Sequence, residues 1–267
     1  MNTDTLSGAR VLSQGRLPDG GHLLTLRPPR LPPLAPGHWI ELRLPDQLLA
    51  SAVLDHSPDE QWLSVALPAD SLRTPVPSPG QMLTLQGPFG EPLPSDNDWA
   101  TTILISDGQG LPALLFLARL GHRPHLALVG FTDPPWVRLR PSRFMLPTAP
   151  AGVIAGIGQL EEAGIPSRIS HPDGLPGCHD GSLDELLTHW LDQRRAEDRW
   201  QDRALVIGRQ GFVDEMVTRL RGRIGQYRGY PVAVADGACS ARRPAPSARR
   251  GPFGRWALTA GRRRETR

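Results

Sequence analysis

The residues with the most direct chemical potential stand together at Asp107-Gly108-Gln109-Gly110-Leu111-Pro112. An apolar, β-branched run, Thr101-Thr-Ile-Leu-Ile105, precedes them, and an apolar helical stretch, Pro112 to Leu120, follows. A glycine-rich turn between a strand and a helix lets backbone amides approach a phosphate, and the helix N-terminus adds partial positive charge. Proline suits the first helical position, where its missing N–H costs nothing. The spacing is a truncated G-x-G, and no acidic residue stands at a clear ribose distance. The same residues also suit a plain strand-to-helix turn that needs glycine for positive φ. Both readings stay open on the residues alone.

Other clusters carry less. Gly177-Cys178-His179-Asp180-Gly181 groups a thiol, an imidazole and a carboxylate. Adjacent residues point in divergent directions, so the segment reads as a loop ahead of a helix rather than a metal or nucleophile site. Cys239 stands alone and reads as a semi-buried thiol or a relic rather than a nucleophile. Glu161-Glu162 and Asp184-Glu185 read as solvated helix charges, and His122 and His125 as surface residues. Trp39, Trp62 and Trp99 read as packing residues of a barrel or of a seam between domains.

The elements that position the turn fall into two halves. Residues 1–97 read as an all-β domain. Its short apolar runs, 8–12, 22–26, 38–44, 61–67 and 81–86, several alternating with period two, are separated by Pro-rich turns. Such strands favour a small antiparallel barrel. Residues 98–239 read as an open parallel-sheet α/β domain. Its strands are expected at 101–105, 125–130, 203–207 and 231–235, with a weaker one at 152–156. Helices are expected over 112–120, 183–194 and 212–220, the second capped by Ser182 with Asp184 and Glu185 in its first turn. The strand–turn–helix–strand unit at 101–130 implies a right-handed crossover.

Composition narrows the class. The chain has 267 residues, enough for two modest domains, and its 28 Gly and 29 Pro suit a turn-rich fold. No run approaches eighteen apolar residues and the first sixteen residues hold no apolar leader segment, so a membrane span and a secretory signal are not expected. Two cysteines are too few for a disulfide framework, and the cytoplasm is the expected compartment. All 30 cationic side chains are Arg. Nine of them stand between 240 and 267 against Glu265, a net of +8, which leaves residues 1–239 at −5 within a total of +3. The basic character belongs to a tail, read as a disordered segment, and nucleic acid is not the expected partner.

Taken in order, three stretches resemble one family. Pro36-Gly37-His38-Trp39 resembles a strand opening of the ferredoxin–NADP reductase superfamily. Gly80 followed by Leu83, Leu85 and Gly87-Pro88-Phe89-Gly90 resembles its barrel-ending motif, and Ile103 to Gly110 its nucleotide-binding strand and turn. The nearest branch is that of electron-transfer subunits similar to those of dihydroorotate dehydrogenase. The resemblance spans residues 7–235.

The resemblance implies an N-terminal barrel that holds FAD and an α/β domain that admits NAD(P)H, with hydride passing at their junction. Gly87, Pro88, Phe89 and Gly90 would lie near the flavin. Asp107, Gly108 and Gly110 would approach the pyridine nucleotide, and Gly208 would permit its close passage on the last nucleotide-side helix. Three departures stand beside it. Leu48-Leu49-Ala50-Ser51-Ala52-Val53 keeps a Ser where family members also carry an Arg and an aromatic for the flavin, which removes the charge-assisted partner of a buried pyrophosphate. The stretch 235–240 holds one Cys, so an iron–sulfur cluster is not expected. Gly208 lacks its following Pro. Two functions therefore stand: an NAD(P)H-linked flavin-type oxidoreductase or its electron-transfer subunit, acting with a catalytic partner, and a non-catalytic paralogue that serves as a partner-binding or regulatory subunit.

Overall fold

The computed structural model describes residues 8–95, 98–194 and 202–232. Cys239, the Arg-rich segment and most of the strand expected at 231–235 lie outside the described residues. The first half is a closed antiparallel barrel of β1 (Ala9–Arg16), β2 (His22–Arg27), β3 (Trp39–Leu44), β4 (Gln47–Ser57), β5 (Trp62–Leu67) and β6 (Met82–Phe89), in the order β1-β2-β5-β4-β3-β6. Leu24, Leu26, Ile40, Leu42, Val65 and Leu85 fill its interior at alternate positions, as the period of two demands.

β4 was not legible in that pattern. Ser51, Ala52, Val53 and Leu54 are buried in succession. Val53 belongs to the barrel core and Leu54 to the core of the other domain, so both faces of the strand are covered. A strand buried on both sides shows no alternation of polar and apolar residues.

The second half is a six-stranded parallel sheet flanked by helices, built from β7 (Thr102–Asp107), β8 (Leu126–Gly130), β11 (Ser167–His171), β12 (His179–Asp180), β13 (Arg203–Gly208) and β14 (Gln226–Pro231). Its order is β12-β11-β8-β7-β13-β14. Between β8 and β11 runs a separate antiparallel ribbon of β9 (Leu139–Pro141) and β10 (Ala155–Ile157). The helices are α1 (Leu111–Arg119), α2 (Gly158–Glu162), α3 (Leu183–Gln193) and α4 (Gln210–Leu220). The expected two-domain β plus α/β architecture is therefore present. Three details differ. The weak strand near 152–156 is β10, which pairs with β9 and not with the main sheet. The polar Ser-Arg-Ile-Ser-His of β11 gave no strand signal, and the edge strand is β14, earlier than 231–235.

α1 joins the two halves. Every residue from Leu111 to Ala118 is buried, the mark of a helix covered on all sides. Phe116 enters the barrel core while Leu114, Leu115 and Leu117 belong to the sheet's core. At its end Arg119 pairs with Asp55 of β4 at 2.7 Å. The start of α3 follows the sequence closely. The Ser182 hydroxyl accepts from the Glu185 amide, and the Glu185 carboxylate accepts from the Ser182 amide.

Candidate functional site

Strand order reverses between β7 and β13, because successive strands run to one side of β7 and then resume on the other. A crevice at the carboxyl ends of such strands is where open α/β sheets place their ligands. A cavity of about 740 Å³ lies there. Asp107, Gly108 and Gln109 from the β7–α1 turn line it, with Arg209, Phe212 and Glu215 from the β13–α4 region. Its opposite wall is the barrel: Leu49, Ala50, Ser51 and Ala52 of β4, and Ala66 to Ala69 at the end of β5.

The turn is held by a single carboxylate. Asp107 is 6% exposed. Its Oδ1 accepts from the amides of Gln109 (3.1 Å) and Gly110 (3.0 Å), at the start of α1. Its Oδ2 accepts from the backbone amide and Nε of Arg209, both at 3.1 Å, just before α4. One buried side chain thus ties together the two turns that lead into α1 and α4, close to helix starts where a negative charge is favoured. The Arg209 side chain is 51% exposed and its charge is matched by Asp107.

The glycines of the turn are required by close approach and not by φ. Gly110 has φ −82°, and a Cβ there would lie 2.2 Å from the Ile207 carbonyl oxygen. A Cβ at Gly208 would lie 2.5 Å from Asp107 Oδ1. The expectation that this turn needs glycine for positive φ is therefore corrected: β7 and β13 are neighbours, and the backbone of each turn passes against the other. Pro112 is the second residue of α1, where a missing N–H is equally free of cost.

Gly87, Pro88, Phe89 and Gly90 are not among the residues that line the cavity. They close the barrel where β6 meets β3. Phe89 packs on Trp39 at 4.7 Å between ring centroids, and a Cβ at Gly90 would lie 2.8 Å from the Gly37 carbonyl oxygen. Leu93, three residues on, already belongs to the sheet's core, so the segment runs at the junction. Trp39 is buried there, and Trp99 packs beside the sheet's core against His122. Cys178 is buried, which pushes its thiol up from the ordinary value, and it carries no nucleophile's environment. Among the described residues no cluster of three or more His, Cys, Asp and Glu is arranged to hold a metal.

Glu161 corrects its reading as a solvated charge. It is 2% exposed and accepts from the Ser142 and Ser167 hydroxyls and the Ser167 and Arg143 amides, while Glu162 stays at the surface beside Arg140. It ties α2 and β11 to the 142–144 segment, away from the cavity.

No family model matches the sequence, and no curated protein is recognisably similar to it. Solved structures are similar in shape. The Amycolatopsis cytochrome P450 reductase GcoB superposes with a TM-score of 0.61 at 16% identity, over 84% of this chain and 68% of that one. An NADH-dependent reduced ferredoxin–NADP oxidoreductase gives 0.59 at 15% identity, over 90% and 82%. The FAD/NAD-binding domain of a Vibrio cholerae nitric oxide dioxygenase gives 0.56 at 15% identity, over 84% and 98%. This is the ferredoxin–NADP reductase fold. Within it the cavity occupies the groove between barrel and sheet.

That fold implies a flavin and a pyridine nucleotide, and the residues present suit the two parts of a flavin dinucleotide unequally. A ring finds a cavity of sufficient volume, a wall of small residues from β4, and Ser51, whose hydroxyl donates to the Ala66 carbonyl at 3.1 Å and keeps its lone pairs for a further donor. A phosphate finds less. The Gln109 and Gly110 amides are already bonded to Asp107, and among the described residues the lining holds five carboxylates, Asp19, Asp107, Asp133, Asp184 and Glu215, against one cation, Arg209. The residues do not fit a pyrophosphate at this turn. The charge of the lining was the feature that sequence reading missed, because its acids come from five separate segments.

Proposed function

We propose that the chain is an NAD(P)H-linked flavin-type oxidoreductase, or the electron-transfer subunit of one, with the flavin ring in the junction cavity. The observation that carries this reading is the cavity itself: a ring-sized space at the switch point, walled by small barrel residues, in a fold shared with proteins named as reductases. When bound, a flavin ring links two-electron hydride donors to one-electron acceptors. The chain's own contribution is position and exclusion. α1, buried on all sides, holds the barrel wall and the sheet wall face to face, and Phe131 and Trp136 close the space beneath Gly108. The Trp136 indole donates to the Gly108 carbonyl at 3.1 Å and so fixes the turn from below.

A protein acceptor is the expected partner, since proteins of this fold are named as a cytochrome P450 reductase and as the ferredoxin reductase in carbazole 1,9a-dioxygenase. Among the described residues no helix is long and apolar enough to cross a membrane. We place the complex in the cytoplasm.

The filled turn favours a second reading, a cofactor-free subunit that binds or regulates a partner. An absorbance spectrum of the purified protein separates the two, taken after incubation with riboflavin, FMN or FAD and again with NADH or NADPH and a dye. Retained flavin bands and nucleotide-dependent dye reduction are expected. A flat spectrum with every flavin, and no dye reduction, would leave only the second reading.

A further inference from the structure

We propose that the Arg-rich segment 240–267 of this chain docks at the mouth of the junction cavity and supplies the cations that the pyrophosphate of a dinucleotide needs there. The proposal rests on the oxidoreductase reading of that cavity and names the source of its missing positive charge.

The two sides carry opposite charge. Among the described residues the lining sets five carboxylates against Arg209, which Asp107 already pairs, and Asp184 is paired with Arg219 at 3.1 Å. Asp19, Asp133 and Glu215 pair with no cation among the described residues, and the last two are exposed. Segment 240–267 holds nine Arg against one acid, whereas residues 1–239 sum to −5. Each guanidinium offers a planar fork that takes a carboxylate or a phosphate through two N–H donors.

The chain also leaves the described fold at this place. The Val232 amide donates to the Gly208 carbonyl at 2.9 Å. Gly208 directly precedes Arg209 of the lining and lies against Asp107. From Val232 the ten residues to Arg242 reach at most about 35 Å, enough to cross a cavity of about 740 Å³. A tether of this length holds the arginines at an effective concentration of about millimolar. Guanidiniums on Asp133 and Glu215 cancel the repulsion that the lining exerts on an anion, and the remaining ones face the anion directly. Amides at the α1 and α4 starts that Asp107 does not take add donors on the same side. The occupant is therefore this chain's own segment and not one bound to nucleic acid, whose phosphates would meet the −5 of residues 1–239.

Trypsin, which cuts after Arg, reads the docking on the full chain without any cofactor. At low salt, cleavage between Arg242 and Arg250 should run several-fold slower in the unmodified chain than in Asp133→Asn/Glu215→Gln, which changes only exposed side chains. Equilibrium dialysis then compares FAD and NADPH binding to the unmodified chain and to Arg242→Gln/Arg243→Gln/Arg249→Gln/Arg250→Gln, which alters no residue of the barrel or the sheet. Both dinucleotides should bind about tenfold more weakly to the arginine variant, with a shallower loss of affinity as salt is added. Equal cleavage of the unmodified chain and the carboxylate variant, or equal dinucleotide affinity with and without the four arginines, overturns the proposal and leaves the oxidoreductase reading standing. Tighter binding to the arginine variant also overturns it and makes the segment a plug. Protection from trypsin by duplex DNA, with none from the carboxylates, assigns the segment to nucleic acid against the proposal. Binding of neither dinucleotide to either chain overturns both the proposal and the reading beneath it.

Discussion

The two walls of the cavity are built on opposite terms. The barrel wall, Leu49 to Ala52 of β4, carries no charged side chain and defines only a shape. The sheet wall carries Asp107, Arg209 and Glu215, and its geometry is set by a buried carboxylate that holds two helix starts together. Small side chains on β4 keep space open whatever the ligand, because alanine and serine make no demand on its charge. The sheet wall does make such a demand. Apart from Asp19, between β1 and β2, the charge of this lining comes from the α/β domain, and the uncharged wall comes from β4 and β5.

The largest effect is expected where the walls are joined. Phe116→Ala removes the α1 side chain that fills the barrel core and should cost about 3–5 kcal/mol in urea unfolding. If the walls depend on this joint, the barrel and the sheet then unfold in separate steps. A single unchanged transition would show that the two domains are held together elsewhere.

Next comes the sheet wall alone. Gly110→Ala places a methyl against the Ile207 carbonyl and should cost about 3 kcal/mol. Gly211→Ala in α4, with nothing within 4 Å of the added Cβ, should be neutral or gain up to about 1 kcal/mol. Equal effects from the two, read by thermal unfolding, would break the claim that close approach fixes this wall. Ser182→Ala opens the capping box beside the cavity and should cost about 1 kcal/mol.

The smallest effect is on the barrel side and depends on pH. Burial lowers the His38 and His56 imidazoles below the ordinary 6.5, with Asp55 partly opposing at His56. The unfolded chain therefore binds the additional protons first. The stability these two groups contribute is present above pH 6.5 and is lost as pH falls through that value. Melting temperatures measured from pH 7.5 to 5.5 should fall, and His38→Gln with His56→Gln should flatten the slope. A slope unchanged by the double substitution would assign the pH dependence to His125 instead, whose imidazole is lowered by burial and by Arg194, with Asp202 partly opposing.

Much of the frame was legible in residue order. Five barrel strands announced themselves as short apolar runs between turns, several of them alternating, β7, β8 and β13 as continuous apolar runs, and α3 through its Ser182 cap, each a local signal that needs no distant partner. β4 and β11 were not legible. β4 is covered on both faces by elements distant in sequence, and β11 carries Ser, Arg and His that are buried because Glu161 and its neighbours enclose them. The candidate site divided in the same way. Asp107, Gly108 and Gly110 stand in one turn, and Gly208, which only the family resemblance pointed to, lies against Asp107, whereas Gly87 to Gly90 close the barrel outside the cavity lining.

By itself the sequence determined the alternating strands, the glycines, the caps and the two-domain order, since each follows from periodicity or from the steric needs of a short stretch of backbone. Only the tertiary structure decided what the Gly-rich turn holds. Residues 107 and 209 lie 102 positions apart, and their hydrogen bonds exist only because β7 and β13 are adjacent in the sheet. The packing of barrel against sheet gathers five carboxylates from separate segments around one cavity, and electrostatic energy depends on distance in space, which residue order does not specify.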